Sequence, residues 1–230
     1  MAEARRRAPD IAGPTWILAR HQTAARGRRG RVWRNPPGNF AATLVLPRPG
    51  DPAQAALRSF VAALALHDAL LARTGAGARY ALKWPNDVLL NGGKVAGILL
   101  ERLETTGALA IGIGVNLAQA PGADDVEPGA VPPVALAQET GVLVGATAFL
   151  DALAPAFAHW ELRLATYGFA PVREAWLSRA ARLGQPVTAR LPAEDITGTF
   201  ETIDTAGHLV LRTPAGPRAI AAADVYFQGG

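Results

Sequence analysis

The chain has 230 residues, 50% of them hydrophobic and 18% charged, with a formal net charge of +4 and no cysteine. That composition fits one sizeable folded domain with a small appended one, and it excludes disorder, disulfides, thiolate catalysis and zinc ribbons. His21, His67, His159 and His208 lack metal-ligand spacing, no apolar run reaches membrane-spanning length, and MAEARRRAPD has no signal core, so a cytoplasmic protein with an anionic partner is expected.

Ala2 to Arg7 reads as part of a helix without a capping residue before it. Thr15 to Arg20 reads as a strand that delivers His21-Gln22-Thr23 into a polar loop, Ala24 to Asn39. This loop carries Arg26, Arg28, Arg29, Arg31 and Arg34, interleaved with Gly27 and Gly30, and includes Trp33. Phe40 to Pro47 returns as a strand. Asp51-Pro52 is an N-cap followed by a first-turn proline. Ala53 to Arg73 then has apolar residues at helical spacing, with Gly75 to stop it.

Lys83 to Glu101, KWPNDVLLNGGKVAGILLE, contains the only two lysines of the chain, Lys83 and Lys94. A sequence otherwise committed to arginine keeps two compact ammonium groups in one short segment, which points to a role for the ammonium itself. Asn91-Gly92-Gly93 is a turn signal between two apolar runs, so the segment reads as a hairpin with polar groups at its entrance and its tip. Gly107 to Val115 is another core strand, and Asn116 to Pro133 is a Pro/Gly/Asp loop. Helices follow at Ala146 to Ala165, interrupted or restarted at Pro155, and at Val172 to Leu183. Trp160, Tyr167, Phe169 and Trp176 read as core packing.

Beyond Gly184 the pattern changes to short alternating segments, QPVTARL, ITGTFETI, HLVLRT and RAIAAADVYF, as in a small β-barrel. The expected architecture is α+β, a mixed central sheet with packed helices over residues 1–183 and a small SH3-like barrel over 184–230.

Several of these residues have both a functional and a plain reading. The arginine loop suits a flap that orders on an anion, or a solvated or nucleic-acid-binding patch. Asn86-Asp87 after a proline suits a polar site or a backbone-capping turn. Gly97, Gly112 and Gly114 lie in strands, where glycine weakens the ladder unless a ligand approaches closely, so they read as a pocket floor. Asn116 either meets a ligand or ends its strand.

The combination of QTAARGRRGRVW, KWPNDVLLNGGKVAGILLE and GIGVNL resembles the biotin protein ligases, and the resemblance extends through the C-terminal barrel. It implies that biotin is activated with ATP and Mg²⁺ to biotinyl-AMP and passed to a lysine of a biotin carboxyl carrier domain. It assigns Lys94, Asp87 and Lys83 to catalysis. Lys94 would reach both the carboxylate and the α-phosphate, and Asp87 would be the general base or the group that orients the incoming lysine. Gln22, Ala25, Arg26, Gly27, Arg28, Trp33, Gly97, Gly112 and Gly114 would contact biotin or the adenylate. Arg28, Arg31, Lys83, Asn86 and Asn116 would contact ATP. No resident metal site, DNA or membrane is expected, and a homodimer is left open.

Two departures stand out. Ala25 replaces a glycine usual in the family, and the chain begins where a Ser-Thr-Asn strand would end, so weaker biotin binding and no N-terminal DNA-binding module are expected. A lipoate or other acyl-carrier ligase on the same fold, or a non-catalytic carrier or nucleic-acid binding module, is the alternative.

Overall fold

The computed structural model describes residues 1–27, 30, 33–122, 127 and 129–227. Six strands form the central sheet: β1 (Thr15–Leu18), β2 (Phe40–Leu46), β3 (Tyr80–Lys83), β4 (Asp87–Leu90), β5 (Gly93–Arg102) and β6 (Leu109–Val115), in the order β1-β2-β6-β5-β4-β3. Their pairs are antiparallel. Among the described residues, parallel pairing is confined to isolated bridges, Leu82 with Ala180 and Lys94 with Pro133. The α+β class is borne out.

Among the described residues, five α-helices accompany the sheet: α1 (Ala2–Arg7), α2 (Pro52–Thr74), α3 (Leu136–Thr140), α4 (Ala146–Tyr167) and α5 (Phe169–Leu177). At the start of α2 the Asp51 carboxylate accepts the Gln54 N–H at 2.8 Å, and Gly75 ends the helix at φ 70. Such a cap contributes about 1 kcal/mol. By length and composition, Pro52–Gly77 does reach membrane-spanning size, with mean hydropathy 1.5 in its richest window. This corrects the sequence expectation. The apolarity serves the core instead, because α2 packs against β3, β4 and β5 and against α4 and α5. Val61, Leu64, Leu66 and Leu70 are fully buried.

Pro155 neither interrupts nor restarts α4, which runs unbroken through it. The proline is exposed, so the carbonyl it leaves without an amide partner faces solvent. Phe149, Leu153, Phe157 and Trp160, spaced along the opposite face, are buried and hold both halves on the core.

Helix α5 stops at Leu177, short of the expected Leu183. The chain there is drawn onto the outer edge of β3: Leu82 N–H donates to Arg179 O, and Ala181 N–H donates to Leu82 O, both at 2.8 Å. Pairing this edge satisfies backbone groups that further helix would leave open. Tyr167 is 69% exposed and is not core, whereas Trp160 and Trp176 are buried and Phe169 packs edge-on to Phe60.

The C-terminal sheet contains β7 (Pro186–Arg190), β8 (Asp195–Ile203), β9 (Leu209–Thr213), β10 (Gly216–Ile220) and β11 (Asp224–Phe227), ordered β10-β9-β8-β7-β11 and antiparallel throughout. Five short antiparallel strands are consistent with the expected SH3-like barrel. It shares its core with the larger layer. Trp176 of α5 lies 5.5 Å from Phe60 of α2 and 6.5 Å from Phe200 of β8, ring centre to ring centre.

Candidate active site

The β4–β5 hairpin turns at Asn91 and Gly92, with φ of 50 and 90. Two consecutive left-handed residues suit the twist of an antiparallel pair, which is why an Asn-Gly sequence stands there. The turn fixes the register that places Lys94 at the start of β5. Lys83 ends β3, Asp87 begins β4, and Trp84-Pro85-Asn86 joins them through a cis Trp84–Pro85 bond.

This geometry brings three charges together. Lys94 Nζ lies 2.7 Å from Asp87 Oδ1, and Lys83 Nζ lies 3.7 Å from Asp87 Oδ2. The Lys83 and Asp87 side chains are each only 11% exposed, against 28% for Lys94. Burial pulls the Lys83 pKa below its usual value; Asp87 and Asp224 oppose that shift, and Lys94 adds to it. An ammonium poised in this way gains strongly from an incoming anion.

The cluster lines a cavity of about 510 Å³. Strands β5 and β6 supply its floor. A Cβ on Gly97 would lie 3.2 Å from the Trp33 ring, and one on Gly114 would lie 2.6 Å from it. Glycine at these positions therefore lets the indole lie close against the sheet. Lys94 Nζ sits 5.6 Å from the same ring, within cation–π reach. Gly112 also lines the floor, covered by Met1.

Gln22, Ala25, Arg26 and Gly27 reach the cavity from the polar loop. The backbone N–H of Trp33 donates to Ala25 O at 3.3 Å. Ala25 does not have positive φ, so its Cβ adds no left-handed strain. The Arg26 guanidinium pairs with Glu101 at 2.9 Å, at the edge of the site. The expectations for Arg28 and Arg31 lie outside the described residues.

Asn86 lines the cavity, but its side-chain amide donates to Ile98 O at 2.6 Å while its backbone carbonyl accepts from Ile98 N–H at 2.9 Å. The turn-holding reading of this residue is thus realised in part. Asn116 is 2% exposed and donates to Val134 O at 3.1 Å. Its buried Oδ1, like the buried Oε1 of Gln22, has no hydrogen-bond partner among the described residues. Orphaned acceptors at a cavity wall invite a ligand's N–H or O–H groups.

Sequence reasoning missed several residues that line the same cavity, among them Thr43, Glu127, Asp224 and Tyr226. Thr43 had a signal, being the one polar residue in the buried strand FAATLVL. Asp224 and Tyr226 arrive from β11, more than a hundred residues beyond the hairpin, with no local pattern to announce them. Tyr226 OH is 3.2 Å from Glu127 Oε2, linking β11 to the loop that follows β6.

Two cations flanking a carboxylate, beside a glycine floor and an indole, suit a ligand with an anionic end and a flat, largely apolar body. The chain matches the biotin/lipoate A/B protein ligase family over residues 2–117 and the biotin protein ligase C-terminal domain over residues 183–228. The chain belongs to this ligase family. It is 59% identical to a biotin--[acetyl-CoA-carboxylase] ligase from Paracoccus denitrificans, covering 99% of this chain and 96% of that protein. It is 32% identical to the bifunctional ligase/repressor BirA of Bacillus subtilis over 92% of this chain, but covers 65% of that longer protein.

Among solved structures, the Aquifex aeolicus biotin protein ligase in complex with biotin and ATP shares the fold. Its TM-score is 0.83 at 24% identity, over 96% of this chain and 91% of that one. The Leishmania major biotin protein ligase in complex with biotinyl-5-AMP superposes with a TM-score of 0.66 at 26% identity, over 96% and 94% of the two chains.

Proposed function

We propose that this chain activates biotin with ATP as biotinyl-5′-AMP and transfers the biotin to a lysine of the carrier protein of an acetyl-CoA carboxylase. The observation that carries the reading is the Lys94–Asp87–Lys83 cluster lining the glycine-floored cavity.

In the first step a biotin carboxylate oxygen attacks the α-phosphorus, the new P–O bond forms, and pyrophosphate leaves with the electrons of the broken one. Negative charge grows on the phosphate oxygens as this happens. Preorganised ammonium groups stabilise that charge more in the transition state than in the ground state. Lys94 takes the position between carboxylate and α-phosphate, and Lys83 stands on the phosphate side. Gln22, Thr43 and Asn116 supply polar groups to the uncharged parts of the ligands, and Trp33 with the glycine floor clamps their flat faces.

In the second step the acceptor amine attacks the acyl carbon, the acyl–phosphate C–O bond breaks, and the proton the amine loses passes to a phosphate oxygen of the departing AMP or to solvent. Asp87 is the counter-ion of both lysines, so taking that proton would break an existing pair. We therefore assign it the orienting role, not that of general base. Mg²⁺ would enter this reading as the counter-ion of the triphosphate, held mainly by phosphate oxygens and water with few ligands from the protein. The described residues contain no group of three or more His, Cys, Asp or Glu arranged to hold a metal.

The test is biotin-dependent exchange of labelled pyrophosphate into ATP, with lipoate as the competing acid. Exchange with biotin and none with lipoate is expected. Exchange with lipoate alone, or with neither acid in a folded protein, would overturn the proposal.

A further inference from the structure

The corner that carries Lys83 and Asp87 is three residues long, and most of what holds it comes from elsewhere in the chain. At its back the Trp84 indole, 3% exposed, donates from Nε1 to Gly207 O at 3.1 Å across a sequence separation of 123 residues. Gly207 lies in the β8–β9 turn at φ 85, and a Cβ there would come within 2.8 Å of Phe60 on α2. The turn is itself braced. Asp204 Oδ1 accepts the N–H groups of Ala206 and His208, each at 2.9 Å. Beside it, Ser59 of α2 donates to Pro85 O at 2.9 Å.

At the front of the corner, β11 reaches the lysine. Lys83 Nζ lies 5.7 Å from the centre of the Phe227 ring, and Asp224 of the same strand lines the cavity. The nearby Asp224 charge also favours the charged form of Lys83. The C-terminal sheet thus touches the corner from two sides, while the central sheet supplies its ends and, through the two Asn86–Ile98 hydrogen bonds, anchors its last residue.

We infer that the C-terminal sheet sets the position of the Lys83–Asp87 corner through the Trp84–Gly207 hydrogen bond and the Phe227 ring. Trp84, Gly207 and Phe227 are then positioning residues for the phosphate end of the cavity. This rests on the ligase reading above. The physical basis is that a cation displaced by about 1 Å from a reacting phosphate forfeits much of its effect, and a corner this short has few contacts of its own to resist displacement. The biotin end of the cavity, built on β5, β6 and the loop at Gln22, does not depend on these contacts.

The experiment compares Trp84→Phe, Phe227→Leu and Trp160→Phe with the parent in the pyrophosphate exchange assay, with biotin affinity measured calorimetrically in the absence of ATP. Trp160→Phe is the matched control. Its indole donates to Asp68 at 2.8 Å, a comparable bond that lies away from the cavity. Trp84→Phe and Phe227→Leu are each expected to raise the KM for ATP about fivefold, the scale of one lost hydrogen bond or ring contact, with biotin affinity unchanged. Trp160→Phe is expected to leave the KM for ATP within about twofold of the parent.

An unchanged KM for ATP in folded Trp84→Phe would overturn the inference, as would an equal rise in Trp160→Phe. If Trp84→Phe does not fold, Phe227→Leu, whose ring is partly exposed, decides by the same criterion. Absence of exchange in the parent would overturn the ligase reading, and this inference with it.

Discussion

Lys94→Ala is expected to lower biotin-dependent pyrophosphate exchange by about 10²–10³-fold while leaving the protein folded. The scale is that of removing one preorganised charge-stabilising donor from a transition state. The side chain is the most exposed of the cluster, and it contributes little to packing, so circular dichroism and thermal unfolding should register a small change at most. The loss should appear in the first half-reaction and carry over into transfer, because no adenylate accumulates. Exchange at the parent rate would remove Lys94 from the chemistry altogether.

Asp87→Asn should have a different signature. From sequence, this residue is a candidate for the second step alone, and its substitution would be expected mainly to slow transfer. The structure gives it contacts with both lysines, so the neutral amide leaves two ammonium groups facing each other across a site where their side chains are 11% and 28% exposed. Breaking a buried pair by removing one partner costs about 3 kcal/mol, and the mutual repulsion displaces Lys94 as well. Both half-reactions should slow, and urea denaturation should report lower stability. An Asp87→Asn protein with parent stability and parent exchange, slowed only in transfer of biotin to the carrier, would restore the general-base role and refute the counter-ion account.

Much of this site was legible because its parts are local. The Asn91-Gly92 turn fixes the β4–β5 register within a few residues, with Lys94 opposite Leu89 and Asp87 opposite Gly97, and the long Lys94 side chain reaches Asp87 diagonally from there. Gly112 and Gly114 are two apart on a strand, so a shared face follows from the pleat. The scarcity of lysine directed attention to the correct segment. Elsewhere a local pattern was overridden. Apolar residues continue past Leu177, yet the chain leaves the helix because the open edge of β3 offers backbone partners. Pro155 signals a break, yet four buried side chains on the opposite face of α4 outweigh the one hydrogen bond it removes. The contribution of Gly207, Asp224 and Phe227 was not readable at all. It arises where two sheets meet, and no periodicity within either one encodes that meeting.

The confinement of lysine to the cavity has a chemical consequence. A mixed anhydride that leaks from its enzyme acylates whatever primary amines lie near, and the first surface it meets is the enzyme's own. Here the outer cationic surface is guanidinium, which holds its proton and is a poor nucleophile, while the two side-chain amines are ion-paired within the site. The protein should therefore remain unlabelled on its side chains through many turnovers, as intact-mass measurement would read. Replacing an exposed arginine such as Arg182 by lysine should create a site of self-biotinylation, and a side chain labelled in the parent would refute this protection.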